Sequence, residues 1–458
     1  MNTAEPSAAG LLPRLRGHVA TLSTHLGYSS VGRFYSEIVI ALAVGAVAAG
    51  WAAYLFSQFE FVRVCHGFDL WFDSDPGRTV ANIVSRFSFF ENRSILHPLY
   101  ALFVAGPFSL LKEIGLSTNT ETAIYVGAQS AVYAILAYVA LRAFTLSRVD
   151  ALLGVALLYS TSAAMYWIGF PEWVAFGAAS VLVSVIWIAG PAALRNRATG
   201  FVQNLAAGSI GLTSWAIGML ASLISDWPKP KFNWGQAFAN TRDALACMAA
   251  LYVVEYLVFP HTGPFLKIWD EAHVAAQGGE SHRGIIQHAI QYFAQTLVAP
   301  SMSVHEGVRN VPGWGVLIMQ SQGHGVPLNA MTIAILLLWA GLLGLGVYAA
   351  IRGAVRASVA LLAGGALAYF FVLHFLLGGE IFLFSLHFAP FLVFIAMWAL
   401  RSRFAMIARI ACVALILASA VNNYPAFRSA VAIHNAIDPS WLTREDAATT
   451  EVLKTDCR

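Results

Sequence analysis

Apolar residues run in long blocks from residue 36 to residue 422, and polar residues fill mostly short gaps between them. An α-helix needs about 20 apolar residues to cross a bilayer. Blocks of that kind cover 36–56, 123–141, 151–170, 173–193, 243–260, 328–350, 357–378, 381–400 and 404–422. Two apolar stretches are irregular. ILHPLYALFVAGPFSLL (95–111) is short and broken by Gly-Pro, while LAAGSIGLTSWAIGMLASLIS (205–225) kinks at GLTSW and reads as two half-crossings. Broken helices at membrane depth must be buried in protein or line a cavity. The pattern predicts one all-α, polytopic transmembrane bundle over 1–458, with about 10 to 13 crossings.

Composition supports that class. The chain is 58% hydrophobic and 11% charged, against about 25% charged in soluble domains. The apolar blocks are too long for the alternating, roughly 10-residue strands of a membrane barrel. A net charge of +3 without a basic tract argues against nucleic acid as a partner. The residues before 36 are mostly polar, so the first apolar block is expected to remain as a signal anchor.

Short-loop arginines and lysines mark the cytoplasmic side. Arg14, Arg16, Arg33, Arg142, Arg148, Arg195, Arg197, Lys229, Lys231, Arg352, Arg356, Arg401, Arg403 and Arg409 are assigned there. That leaves the first polar loop (57–97), the GFPEW turn at 169–173, the long segment 261–326, the GGE turn at 378–380 and the tail 425–458 outside. The protein is therefore expected in the cytoplasmic membrane, with its chemistry on the periplasmic or extracellular side.

The chemistry-bearing stretch is FDLWFDSDPGR, residues 68–78. Asp75-Pro76 has the form of a helix start, an N-cap acid followed by proline. Val80, Ile83, Val84, Phe87 and Phe90 then recur at helical spacing, with Arg78, Asn82, Ser85 and Arg86 between them. This predicts a short amphipathic helix lying on the outer membrane surface. Asp69, Asp73, Asp75, Arg78, Arg93 and His97 then meet at one boundary. Taken singly, Asp75 is explained by capping and Asp69 by a solvated loop. A cluster is harder to dismiss, because each ionisable group near bilayer depth costs about 2.5–3.5 kcal/mol on insertion scales. Arginine beside a carboxylate suits a phosphorylated ligand: the guanidinium forks onto phosphate and the acid acts as base.

Phe72-Asp73-Ser74-Asp75-Pro76-Gly77-Arg78 and Arg93-Ser94-Ile95-Leu96-His97-Pro98-Leu99, behind an anchor helix, resemble the GT-C superfamily of membrane glycosyltransferases. The broken region 205–225 also resembles the short paired helices of that fold. The likeness covers the N-terminal half, and the C-terminal half only in layout. The sequence departs from the aminoarabinose-transferase type, which has Lys-Pro-Pro-Leu where His97-Pro98-Leu99 stands. The resemblance implies sugar transfer from a polyprenyl-phosphate-linked donor to a lipid or glycan acceptor on the outer face. Asp73 or Asp75 would be the general base, with Arg78, Arg93 and His97 on the donor phosphate. An acid at a helix N-terminus is the weaker base, which favours Asp73 and leaves Asp75 as cap, metal ligand or substrate contact. A divalent cation suits Asp-Ser-Asp, although one short pair is a poor site.

Further candidates are Glu172 in the GFPEW turn, as a second acid, and Asp270, Glu271 and His273 in the long outer segment. Each also has a plain reading, as a headgroup-level hairpin residue or part of a solvated loop. Residues 284–300 carry apolar positions at helical spacing and are expected to lie over the site as a lid. Glu380 starts a span with His387 two turns on, which interfacial snorkelling and interhelical hydrogen bonding explain as well as function does. Cys65 and Cys457 both fall outside, where a disulfide would persist. The rival function is a transporter or flippase of lipid-linked saccharides. Such proteins show inverted repeats and mid-membrane charges, whereas this chain has no repeat and carries its charges at the edge.

Overall fold

The computed structural model describes residues 31–65, 70–72, 74–85, 97–226, 232–259, 285–311, 314–323, 325–377 and 381–437. The first helices are α1 (Val31–Phe56), α2 (Phe61–Cys65), α3 (Pro76–Val84) and α4 (Gly106–Glu113), the last preceded by a π turn at Ala101–Ala105. Then come α5 (Thr118–Ala143), α6 (Arg148–Ser160), α7 (Ser162–Trp167), α8 (Val174–Ala189), α9 (Arg197–Ile210), α10 (Trp215–Leu223) and α11 (Trp234–Val258). The C-terminal part holds α12 (Ile285–Ile290), strands β1 (Met302–Val311) and β2 (Trp314–Gly323), and helices α13 (Ala330–Ile351), α14 (Ala357–Leu377), α15 (Ser385–Trp398) and α16 (Ala405–Asn435).

Among the described residues, six helical stretches are long and apolar enough to cross a membrane: α1, α5, α13, α14, the 382–401 stretch containing α15, and α16. These are fewer than the apolar blocks: 151–170 is split into α6 and α7, 173–193 forms only the 16-residue α8, and 243–260 lies in α11, whose N-terminal half is polar. Thr161 separates α6 from α7, and its side chain caps α7 by accepting the Ala164 N–H. At 14 residues, α9 is about 21 Å long, short of a hydrocarbon core of about 30 Å. It folds back on α10: the Gln203 amide donates to the Gly218 carbonyl (3.0 Å) and the Asn204 amide to Ser222 Oγ (2.8 Å). The 205–225 region is therefore an up-and-back helical hairpin. Elsewhere helices approach closely: at Gly346 of α13 any Cβ would collide with the Ile395 carbonyl of α15.

Three expectations need correction. The chain is not purely α, because β1 and β2 pair as an antiparallel hairpin inside the segment expected to be loop. Val304 and Val308, Val316 and Ile318, with Pro312-Gly313 between the strands, carry a hairpin pattern. The 284–300 segment is not a lid. After α12 it takes a π turn at Gln291–Gln295 and packs into the bundle, where Tyr292 stacks on Phe388 at 3.8 Å and donates to the Leu367 carbonyl. Finally, the expected tail 425–458 begins as helix. α16 runs through Pro425 because Phe427, Ala430, Val431 and His434 continue a buried face. Cys65 is disulfide-bonded, Cys247 and Cys412 are free, and Cys457 lies outside the described residues.

Arginines gather at one end of the bundle. Glu37 of α1 is almost fully buried there and accepts from Arg142 (2.9 and 3.1 Å), Arg148 (2.8 Å) and the Tyr138 hydroxyl (2.8 Å). Nearby, Arg409 forks onto Asp150 (2.8 and 3.1 Å), and Arg401 donates to the Phe144 carbonyl. Arg195 and Arg356 both bond carbonyls at the end of α8.

Candidate functional site

The acidic loop lies at the opposite end, and aromatic side chains anchor it. Trp71 is fully buried between Phe59, Tyr166, Phe170 and Phe427, and its indole N–H donates to the Tyr166 carbonyl at 3.3 Å. Phe72 packs edge-on against Tyr166, Trp167 and Phe382. Its φ of +49° lies in the left-handed region, which a bulky residue adopts only when its surroundings hold it there. Ser74 closes the turn by donating its N–H (3.1 Å) and hydroxyl (2.6 Å) to the Trp71 carbonyl. Buried pegs thus fix the backbone that leads into Asp75.

Asp75 occupies the N-cap of α3 with Pro76 behind it, yet its side chain makes no capping hydrogen bond. The carboxylate instead meets the Arg78 guanidinium at 3.2 Å. The expected cap role is therefore not what this acid does. Nor does α3 lie on a surface, since eight of its nine residues are buried. Val80, Ile83 and Val84 enter the core, while the face expected to meet water walls a cleft. Arg78, Thr79 and Asn82 follow Asp75 at the i+3, i+4 and i+7 positions that share one side of a helix.

The cleft holds about 370 Å³ of empty space, its open mouth included, and is lined by Asp75, Arg78, Thr79, Asn82, His97, Tyr100, Glu172 and Trp173. Four of these, Asp75, Arg78, His97 and Glu172, are sequence candidates from three separate segments. Glu172 joins two of the segments: its carboxylate accepts the backbone N–H of Asp75 (3.2 Å) and of Trp173 (2.9 Å). It is a clamp on the loop as much as a second acid. His97 is set by the α9–α10 hairpin. Its Nδ1 lies 2.8 Å from the Ile210 carbonyl, which can only accept, so that nitrogen carries a proton. The Leu99 N–H bonds the adjacent Ser209 carbonyl (2.9 Å), and the His97 ring lies 3.9 Å from the Trp173 ring.

Thr79, Asn82, Tyr100 and Trp173 complete the lining without having been singled out from the sequence. The signal for the first two was helical spacing from Asp75. Tyr100 shares a hydrogen bond with Tyr125 (2.8 Å), whose hydroxyl also donates to the Glu172 carbonyl (3.2 Å). Burial pushes the Tyr100 hydroxyl well up, so it serves as a neutral hydrogen-bonding group. Among the described residues Asn82 Oδ1 is buried with no hydrogen-bond partner, an arrangement that costs about 1–3 kcal/mol.

His387 is buried on α15, with its ring 5.4 Å from Trp173, behind the cleft. Asp73, Arg93, Asp270, Glu271, His273 and Glu380 lie outside the described residues, as does Asp69. Among the described residues no group of three or more His, Cys, Asp and Glu side chains is placed to hold a metal ion. No protein-family model matches the chain, and comparison with curated proteins and with solved structures returns no match.

Proposed function

We propose that the cleft binds a polyprenyl-phosphate-linked sugar and that the protein transfers the sugar to a lipid or glycan acceptor. The observation that carries this reading is the Asp75 carboxylate. It sits at a helix N-terminus without capping it and faces Arg78 inside a cleft shared with His97. A salt-bridged acid is a poor base, and a donor phosphate competes for the guanidinium. Arriving phosphate draws Arg78 away and leaves Asp75 to take the proton. The acceptor hydroxyl then gives its proton to the carboxylate as its oxygen bonds to the anomeric carbon. The bond from that carbon to the phosphate oxygen breaks, and its electron pair stays on the phosphate, which Arg78 stabilises beside the His97 ring. The positive-inside rule favours a cytoplasmic position for the arginine-rich end, which supports an outward-facing cleft.

A second reading, transport of lipid-linked saccharides, draws on one observation. Ser184, Gln203, Asn204, Ser222 and Asn240 form a buried polar knot around the α9–α10 hairpin. None of these side chains is charged, and the charges that suit a phosphate lie in the cleft.

The test is transfer from labelled polyprenyl-phosphate sugars by the purified full-length protein. Asp75→Asn should lower turnover by about 10²–10⁴-fold, the contribution usual for a general base, with donor binding retained. Arg78→Gln should weaken donor binding. Full turnover in Asp75→Asn removes the base assignment, and movement of intact lipid-linked sugar across vesicles without transfer favours the rival.

A further inference from the structure

We infer that Asn82 is the subsite for the uncharged, hydroxyl-bearing part of the ligand, and so separates a glycosylated polyprenyl phosphate from the bare lipid phosphate. The inference rests on the proposed function and adds the residue that reads the sugar. Asn82 is 5% exposed, lines the cleft, and carries a buried carboxamide oxygen with no partner. Other buried polar atoms among the described residues also lack partners, but Asn82 is a neutral one that lines the cleft, where an arriving ligand can supply the partner. A carboxamide has no charge to offer a phosphate. It both donates and accepts, which is what a hydroxyl requires.

The cleft is divided along α3 in the same sense. Arg78, next to Asp75, forms its cationic part, while Thr79 and Asn82 supply neutral hydrogen-bonding groups. The Trp173 ring, held against His97, adds an aromatic wall. A few placed polar groups beside an aromatic surface are how ligand pockets fix orientation.

The experiment measures binding to the full-length protein in lipid nanodiscs. The probes are undecaprenyl phosphate alone and the same lipid esterified with glucose, mannose, galactose or arabinose. Wild type should bind at least one glycosylated lipid about tenfold more tightly than the bare lipid, the step expected from one well-made hydrogen bond. Asn82→Leu should abolish that preference and keep or raise the melting temperature, because it removes an unsatisfied polar group. Asn82→Ala, which leaves a space rather than an apolar filler, should lose the preference in the same way. A preference that survives both substitutions overturns the inference, as does a wild type that binds bare and glycosylated lipids equally. In the latter case the phosphate site still stands. If neither kind of lipid binds, the proposed function falls as well.

Discussion

The two ends of the bundle both bury acids beside arginines, and they treat them differently. At the arginine-rich end, Glu37 takes four hydrogen bonds from Arg142, Arg148 and Tyr138, and Asp150 is forked by Arg409 and bonded by Ser147. No ligand is needed to complete either group. At the cleft end, Asp75 leaves its helix uncapped to meet Arg78, and Asn82 keeps a buried oxygen without a partner. The first cluster is what an ion pair looks like when its work is to hold helices together. The second retains a cost that packing alone does not explain.

The sharpest way to break this comparison is to remove one arginine from each end. Arg142→Ala leaves the buried Glu37 carboxylate with part of its compensation gone, and should lower stability by about 3–5 kcal/mol. Thermal unfolding in detergent would show this as a large fall in midpoint. Arg78→Ala removes a pair buried to a similar degree but held by a longer 3.2 Å contact, and should cost less than Arg142→Ala while abolishing lipid-phosphate binding. Equal destabilisation by the two substitutions would mean the cleft pair is structural as well.

Glu172→Gln sharpens the contrast within the cleft. The carboxylate accepts two backbone N–H groups, and a carboxamide presents only one accepting oxygen. Losing one charge-assisted bond should cost about 1.5–3 kcal/mol and shift Asp75, so stability and turnover should fall together. Asp75→Asn should change turnover alone. A Glu172→Gln protein with wild-type stability and no turnover would instead place Glu172 in the chemistry.

How much of this was legible beforehand depends on what kind of signal each element carries. Apolar block length gave α1, α5, α13 and α14 nearly to their ends, because bilayer thickness sets that length directly. Composition around GLTSW marked the α9–α10 break, but only tertiary contact reveals that its tip holds His97 through Ile210. The acidic loop brought out Asp75, Arg78 and His97, and the GFPEW turn Glu172; these three segments line one cleft. Asn82 was visible only as one polar position on the helix face it shares with Asp75, and Trp173 was not singled out because nothing local separates a cleft-facing indole from an ordinary one. Glu37 escaped for the opposite reason: a lone acid in an apolar helix looked incidental until Arg142 and Arg148, far along the chain, came to it. The tail expected from 425 begins as helix, since the buried face beyond Pro425 outweighs one lost hydrogen bond.

The smallest expected effect concerns Asp150, and it checks that the arginine-rich end is electrostatically closed. Arg409's guanidinium, aided by Ser147 and opposed by burial, holds this carboxyl below its ordinary 3.8. A depressed carboxyl stabilises the fold at pH values above its unfolded value, and loses that contribution as pH falls through the folded one. Arg409 is 42% exposed, so the coupling in a double-mutant cycle with Asp150→Asn and Arg409→Gln should be small at neutral pH and weaken further with added salt. The stability gap between wild type and Asp150→Asn should stay constant down to the ordinary carboxylate range and close below it. A gap unchanged at acid pH would mean that Asp150 acts through its hydrogen-bonding shape rather than its charge, and the two ends would then differ in satisfaction but not in electrostatics.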